Sequence, residues 1–159
     1  MNYTDEQLQK LISPKLREAA IQYARREQIK QTEDKHKITS SRDIIELLKP
    51  YYYNLETEHF YCVFLNRANK VLAIELISQG GMTATVVDQR VIFRKALLNK
   101  ATCIILSHNH PSGNNQPSEQ DIQLTKNMKN SGNILEIQIL DHVIIAGNLH
   151  YSFADQGII

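Results

Sequence analysis

The chain lacks most of what a secreted, membrane-spanning or strongly charged protein needs. It holds only two cysteines in 159 residues, Cys62 and Cys103, far apart and each inside an apolar run. They read as core packing in a reducing compartment, the cytoplasm, and not as a disulfide framework. No apolar run approaches the roughly 20 residues that span a bilayer, so no membrane role is expected. The polar, acidic start Met1-Asn2-Tyr3-Thr4-Asp5-Glu6 does not look like a secretory signal. Charge of either sign is scarce in excess: 18 Lys+Arg against 17 Asp+Glu leave a net +1. A dedicated nucleic-acid binder usually carries a marked basic surplus or stripe. Arg17, Arg25, Arg26, Lys30, Lys35 and Lys37 do cluster, but Glu18, Glu27, Glu33 and Asp34 are interleaved with them. Mixed signs of this kind read as a solvated helix face. There is no internal repeat and no low-complexity tract.

What the chain does contain is concentrated between Ser107 and Asp121. An apolar run, Cys103-Ile104-Ile105-Leu106, leads into His108-Asn109-His110, then a loop, then a helix-like segment from Ser118. Alternate residues of a strand face the same side, so His108 and His110 point together. Pro111 cannot donate to a sheet ladder and should end the strand. Gly113, Asn114, Asn115 and Pro117 are loop chemistry. Ser118 is a helix N-cap, with Asp121 at the third helical position as in a capping box. Asp121 then sits near the positive end of the helix dipole, where its carboxylate can reach back toward the histidines. Two imidazoles and a carboxylate supply three zinc ligands and leave the fourth position to water, the pattern of a catalytic site and not a structural one. Ser112, between a proline and a glycine with no activating base, reads as loop structure.

Other histidine-rich signatures fit less well. A metallo-β-lactamase-type site wants Asp and His where Ser112 and Gly113 stand. A zinc deaminase wants His-x-Glu and a later Pro-Cys-x-x-Cys. The letters of an HNH nuclease site are spread over tens of residues.

The surrounding pattern is that of an α/β protein, a mixed β-sheet flanked by helices, with an N-terminal helical extension. Residues 1–38 form the extension and 39–159 the domain that carries the site. In the extension, Thr4-Asp5-Glu6-Gln7 resembles a capping box, and Ser13-Pro14 opens a second helix. Leu16, Ala19, Ala20, Ile21, Tyr23 and Ala24 give that helix an apolar stripe. The extension is a lid, a dimer arm or a partner-docking helix pair; an exposed stripe on Leu16, Ile21 and Tyr23 favours the last two. A third helix starts at Ser40 or Ser41 and stops at Leu48, before Pro50. Strands are expected over 60–66 and 71–79, and a helix capped by Asp88 through Leu98. Strand 102–107 and helix 118–130 frame the site, with a turn at Ser131-Gly132-Asn133. Strands over 134–140, 143–146 and 150–153 complete the chain. His142 and His150 fall nearly opposite each other in the last hairpin and read as ordinary strand packing; His142, beside Asp141, is the one that could support the site from behind.

His108-x-His110, seven residues from Pro111 to Pro117, then Ser118-x-x-Asp121 resembles the signature of the JAMM (JAB or MPN) metalloprotease family. The wording His108-Asn109-His110-Pro111-Ser112-Gly113, Leu140-Asp141-His142 and Ser152-Phe153-Ala154-Asp155-Gln156-Gly157 is similar to its RadC branch. The resemblance runs from about Ser40 to the C-terminus and implies a JAB/MPN, cytidine-deaminase-like fold. It implies a zinc-dependent metallopeptidase with one Zn2+ per chain, held by His108, His110 and Asp121 with a water as fourth ligand. It also assigns two roles that spacing alone does not. Glu58, heading the run His59-Phe60-Tyr61-Cys62, becomes the general base and acid, with Glu56 as the alternative on the same side. Ser118 becomes an oxyanion donor in addition to a cap. The implied substrate is a protein or peptide, cut at a peptide or isopeptide bond. Members of the RadC branch are customarily labelled DNA repair proteins and many carry a helix-hairpin-helix module. Residues 1–38 show no Gly-rich hairpin of that kind, so DNA binding stands as the alternative, and a catalytically silent interaction module as a second one.

Overall fold

Ser40 opens a helix with a full capping box: its side chain accepts from the Asp43 amide, and Asp43 accepts from the Ser40 amide at 3.0 Å. Helix α1 (Ser41–Tyr52) follows. The computed structural model describes residues 37–80 and 87–159, and before them only Ala20, Tyr23, Ala24 and Glu27. The expected helix at Thr4 and the start of the one at Ser13, with Leu16 and Ile21 of the apolar stripe, lie outside the described residues; Ala20, Tyr23, Ala24 and Glu27 are helical, and Tyr23 is exposed.

The remaining elements are β1 (His59–Leu65), β2 (Val71–Gln79), α2 (Gln89–Leu98), β3 (Cys103–Asn109), α3 (Glu119–Leu135), β4 (Gln138–Ala146) and β5 (Leu149–Ser152). The strands form one sheet in the order β2-β1-β3-β4-β5. Only β3 and β4 run parallel; the other neighbours are antiparallel. This is the expected α/β architecture of a mixed sheet covered by helices. Its core lies on both faces. Under α1, Ile44, Leu48, Tyr51 and Tyr52 pack on Tyr61, Val63, Ile105 and Val143. Under α2 and α3, Ile92, Phe93 and Met128 pack on Phe60, Phe64, Ile104 and Leu106. β1 and β3 are buried along their whole length, as central strands between two helical layers should be.

Three boundaries differ from the sequence reading, each for a packing reason. α1 does not stop at Leu48 but carries Pro50 inside it and ends at Tyr52. The extra turn places Tyr51 and Tyr52 edge-on against Tyr61, with ring centroids 5.3 and 5.4 Å away, contacts that outweigh the lost helix bond. α3 runs past Ser131-Gly132-Asn133 to Leu135, and its C-cap is Glu136 at φ 56°. Gly132 is there for proximity and not for a turn: a Cβ would collide with the carbonyl oxygen of Ile137, where the chain doubles back into β4. The separate strands expected over 134–140 and 143–146 are one strand, β4, with a register irregularity against Ile104 and Ile105. Asp141 then staples the final loop. Its carboxylate accepts from the Ser152 hydroxyl at 2.7 Å and the Ala154 amide at 3.0 Å. Burial, incompletely offset by these bonds, leaves that carboxyl above its usual range.

Candidate metal centre

On β3, Ile104 and Leu106 face α2 and α3. His108 is the next residue on that face and is fully buried. The strand ends at Asn109, but the His110 amide still donates to the Ile145 carbonyl at 3.0 Å. The chain then reverses: the Gly113 amide donates to the His110 carbonyl at 3.1 Å, and Gly113 adopts φ 80°. This tight turn leaves His110 on the same side as His108. Ser118 caps α3, and Asp121 in its first turn completes the group. His108 Nε2 lies 3.0 Å from His110 Nε2 and 3.2 Å from Asp121 Oδ1; His110 Nε2 lies 3.8 Å from Asp121 Oδ2. The three ligand atoms all lie within 4.8 Å of one another.

The hydrogen bonds behind these atoms favour a bound cation. His110 Nδ1 is 2.7 Å from the Asn114 carbonyl, which can only accept, so Nδ1 carries the proton and Nε2 a lone pair. That lone pair, the nearby His108 nitrogen and a carboxylate face one point, and such a donor set fits a divalent ion. Burial alone would raise Asp121. The hydrogen bond and charge of His108, with the Ser118 hydroxyl and amide at 2.6 and 2.8 Å, outweigh it and hold the carboxyl well below its usual range. Asp121 is therefore an anion at neutral pH.

Glu58 precedes β1 and lines the same opening. A cleft of about 370 Å³ is walled by Phe60, Val87 and Leu124; another of about 570 Å³ is walled by Thr57, Pro111, Asn114 and Pro117. Glu58, His110 and Ser118 line both, so the two clefts meet beside the candidate ligands. Glu56 is exposed and lines only the second. Residues 55–58 lie outside the strand, so the alternation that placed Glu56 beside Glu58 does not operate there.

Asn109 and Thr125 escaped the sequence reading, and His142 takes the supporting place that was one of its two readings. Asn109, between the histidines, points to the opposite face. Its Oδ1 accepts from the His59 amide at 2.7 Å, and its Nδ2 donates to the Thr57 carbonyl at 3.1 Å. It thus braces the backbone on both sides of Glu58, and strand alternation held the only hint of this. His142 is fully buried and touches His108, with its Nε2 2.9 Å from His108 Nδ1 and its Nδ1 2.7 Å from Thr125 Oγ1. It does not oppose His150, whose partner across β4 and β5 is Ile145 and which is exposed. Burial, then the charge of His108, pushes the His142 imidazole well below its usual pKa, so it is neutral.

The comparison with protein families decides the lineage: the model of the RadC-like JAB domain matches residues 38–158. The chain belongs to the RadC-like JAB domain family. Its sheet and helices are those of the JAB/MPN fold. It is 44% identical to a UPF0758 protein of Flavobacterium johnsoniae over 140 residues, 88% of this chain and 61% of that protein. It is 41% identical to one of Caldanaerobacter subterraneus over 139 residues, 87% of this chain and 60% of that protein. A third, from Salinibacter ruber, is 37% identical over 142 residues, 89% of this chain and 61% of that protein. The chain thus spans about three fifths of the length of the curated relatives it matches. No helix among the described residues of this RadC-like JAB chain is long and apolar enough to cross a membrane.

Proposed function

We propose that this RadC-like JAB domain is a zinc-dependent metallopeptidase that cleaves a peptide or isopeptide bond. The observation that carries the reading is the convergence of His108 Nε2, His110 Nε2 and the Asp121 carboxylate on one point at the junction of two clefts. When bound there, the ion supplies Lewis acidity and lowers the pKa of a water. The chain's own residues do the rest. His108, His110 and Asp121 hold the ion. Glu58, fixed by the Asn109 brace, takes the proton of the attacking water and returns it to the leaving nitrogen. Ser118 gives its hydroxyl proton to Asp121 Oδ2 at 2.6 Å; turned toward the cleft, the same hydroxyl donates to the oxygen that gains charge as the amide carbon becomes tetrahedral. A protein or peptide substrate lies across both clefts, with its scissile amide beside Glu58.

The test is metal content by mass spectrometry, followed by a peptide-library digest with and without chelator. About one zinc per chain and chelator-sensitive cleavage are expected. Protein that retains no zinc after reloading would sink the hydrolase reading and favour the silent interaction module. Affinity for DNA that falls steeply with salt, without any cleavage, would favour the nucleic-acid alternative.

A further inference from the structure

The two clefts beside the candidate ligands do not end at His110. His110 and Pro111 also border a third cleft, of about 440 Å³, under the last turn of α1. Lys49, Ile145, Gly147 and Asn148 are shared between that cleft and a fourth, of about 360 Å³. The four join into one furrow. It begins between Phe60 and Leu124, crosses the end of β3 at His110, and leaves between α1 and the β4–β5 turn. Charge changes sign along it. Near the ligands the lining side chains include three carboxylates, Glu56, Glu58 and Asp121. Among the described residues that line the third cleft beyond His110, Lys49 is the one that carries a full charge. The length of α1 puts it there. The helix continues through Pro50, so Lys49 lies in its last turn, one turn after Ile45, and both border the β4–β5 turn. Lys49 is exposed and forms no ion pair among the described residues. Arg42, on the same flank, lies 3.7 Å from Glu46, which offsets its charge.

We infer that Lys49 is a specificity-determining residue: it pairs with the carboxylate of an Asp or Glu side chain on a peptide that lies along the furrow, on the far side of His110 from Glu58. The furrow stays open past Lys49 into the fourth cleft, so the peptide continues there and the carboxylate belongs to a side chain and not to a chain end. Leu55, Pro111 and Ile145 wall the third cleft with apolar surface, which displaces water and strengthens the pairing. The carboxylates at the other end of the furrow repel the same side chain, so an acidic peptide has one favoured placement. The inference rests on the reading of the site proposed above insofar as the peptide is a substrate; the docking of the carboxylate at Lys49 needs neither zinc nor cleavage.

The test separates the two. Metal-free wild-type protein is titrated with pools of acetylated, amidated hexapeptides of small neutral residues around one fixed Glu, Gln or Lys. A further Gln pool carries a free C-terminal carboxylate. Proton–nitrogen NMR follows the Gly147 and Asn148 amides. The Glu pool should bind more tightly than the Gln pool by about fivefold, the upper end for an ion pair in contact with solvent, and added salt should narrow the gap. Lys49→Ala should remove the preference and leave the Gln pool unchanged, Lys49→Arg should restore it, and Lys49→Glu should favour the Lys pool. A helix-dipole role for Lys49 alone would move all pools together and would overturn the inference. Equal binding of the Glu and Gln pools, no shift at Gly147 or Asn148 with any pool, or a preference only for the free C-terminus would overturn it too. The zinc-loaded protein is then mixed with the Glu pool. If the Glu preference holds and no peptide is cut, the docking of a carboxylate at Lys49 stands and the metallopeptidase reading falls.

Discussion

The candidate site has two halves built by different means. The buried half, His108 on β3 with His142 and Thr125 behind it, is side chain on side chain inside the core. The rim half, His110 with Glu58 and Ser118, stands at chain ends and turns. There backbone groups do the aiming: the Asn114 carbonyl for His110, and the amides around a helix start for Ser118 and Asp121. The difference suggests a division of labour. The half with no solvent access sets where the ion sits, and the half that lines the clefts meets the substrate.

Substitutions should break the halves apart. The largest effect is expected from His108→Ala. It removes a ligand and leaves His142 Nε2 unpaired in the core, so zinc content should fall to background. The metal-free protein should also lose roughly 2–4 kcal/mol in denaturant unfolding. His110→Ala should lose the ion equally but cost only about 0.5–1 kcal/mol; equal destabilisation by both would erase the distinction. Next in size, Glu58→Gln should keep its zinc and lose about 10²–10⁴-fold in amide hydrolysis, and metal loss in that variant would place Glu58 among the ligands. Gly113→Ala forces a side chain into φ 80°, at a cost of about 1–2 kcal/mol. It should weaken zinc binding through His110, read by competition against a chromophoric chelator. The smallest effect concerns acid. Asp121 titrates lower when folded than the unfolded value of roughly 3.9. Its contribution to stability is therefore present above that pH and is lost as pH falls through the folded value. The advantage of metal-free wild type over Asp121→Asn should shrink below about pH 4, and a constant gap across that range would show that Asp121 is not held as an anion.

The sequence declared the rim more plainly than the interior. His-x-His, the loop residues and the Ser-x-x-Asp cap are local patterns, and each landed where strand alternation and capping place it. Thr125 is one helical turn beyond Asp121, yet threonine in a helix has no ligand signature. His142 reaches His108 only because β3 and β4 run parallel; the strand–helix–strand order implied that pairing, but not the register that sets the two rings side by side. Pro50 and Gly132 misled for the same reason. They are helix breakers by propensity, and tertiary contacts with Tyr61 and with the Ile137 carbonyl overrode them.

One stripe of α3 carries Asp121, Thr125, Met128 and Gly132, spaced four, three and four residues apart. The two ends of that stripe do different work. Gly132 lets the helix seat against the start of β4, and Asp121 presents its carboxylate roughly 16 Å higher, eleven residues at 1.5 Å each. The helix is therefore a gauge rod whose foot sets the bite of the site. A side chain added at 132 would meet the Ile137 carbonyl and push the foot of the helix and the start of β4 apart. A residue that touches no ligand thereby helps to set how far Asp121 reaches toward the two imidazoles.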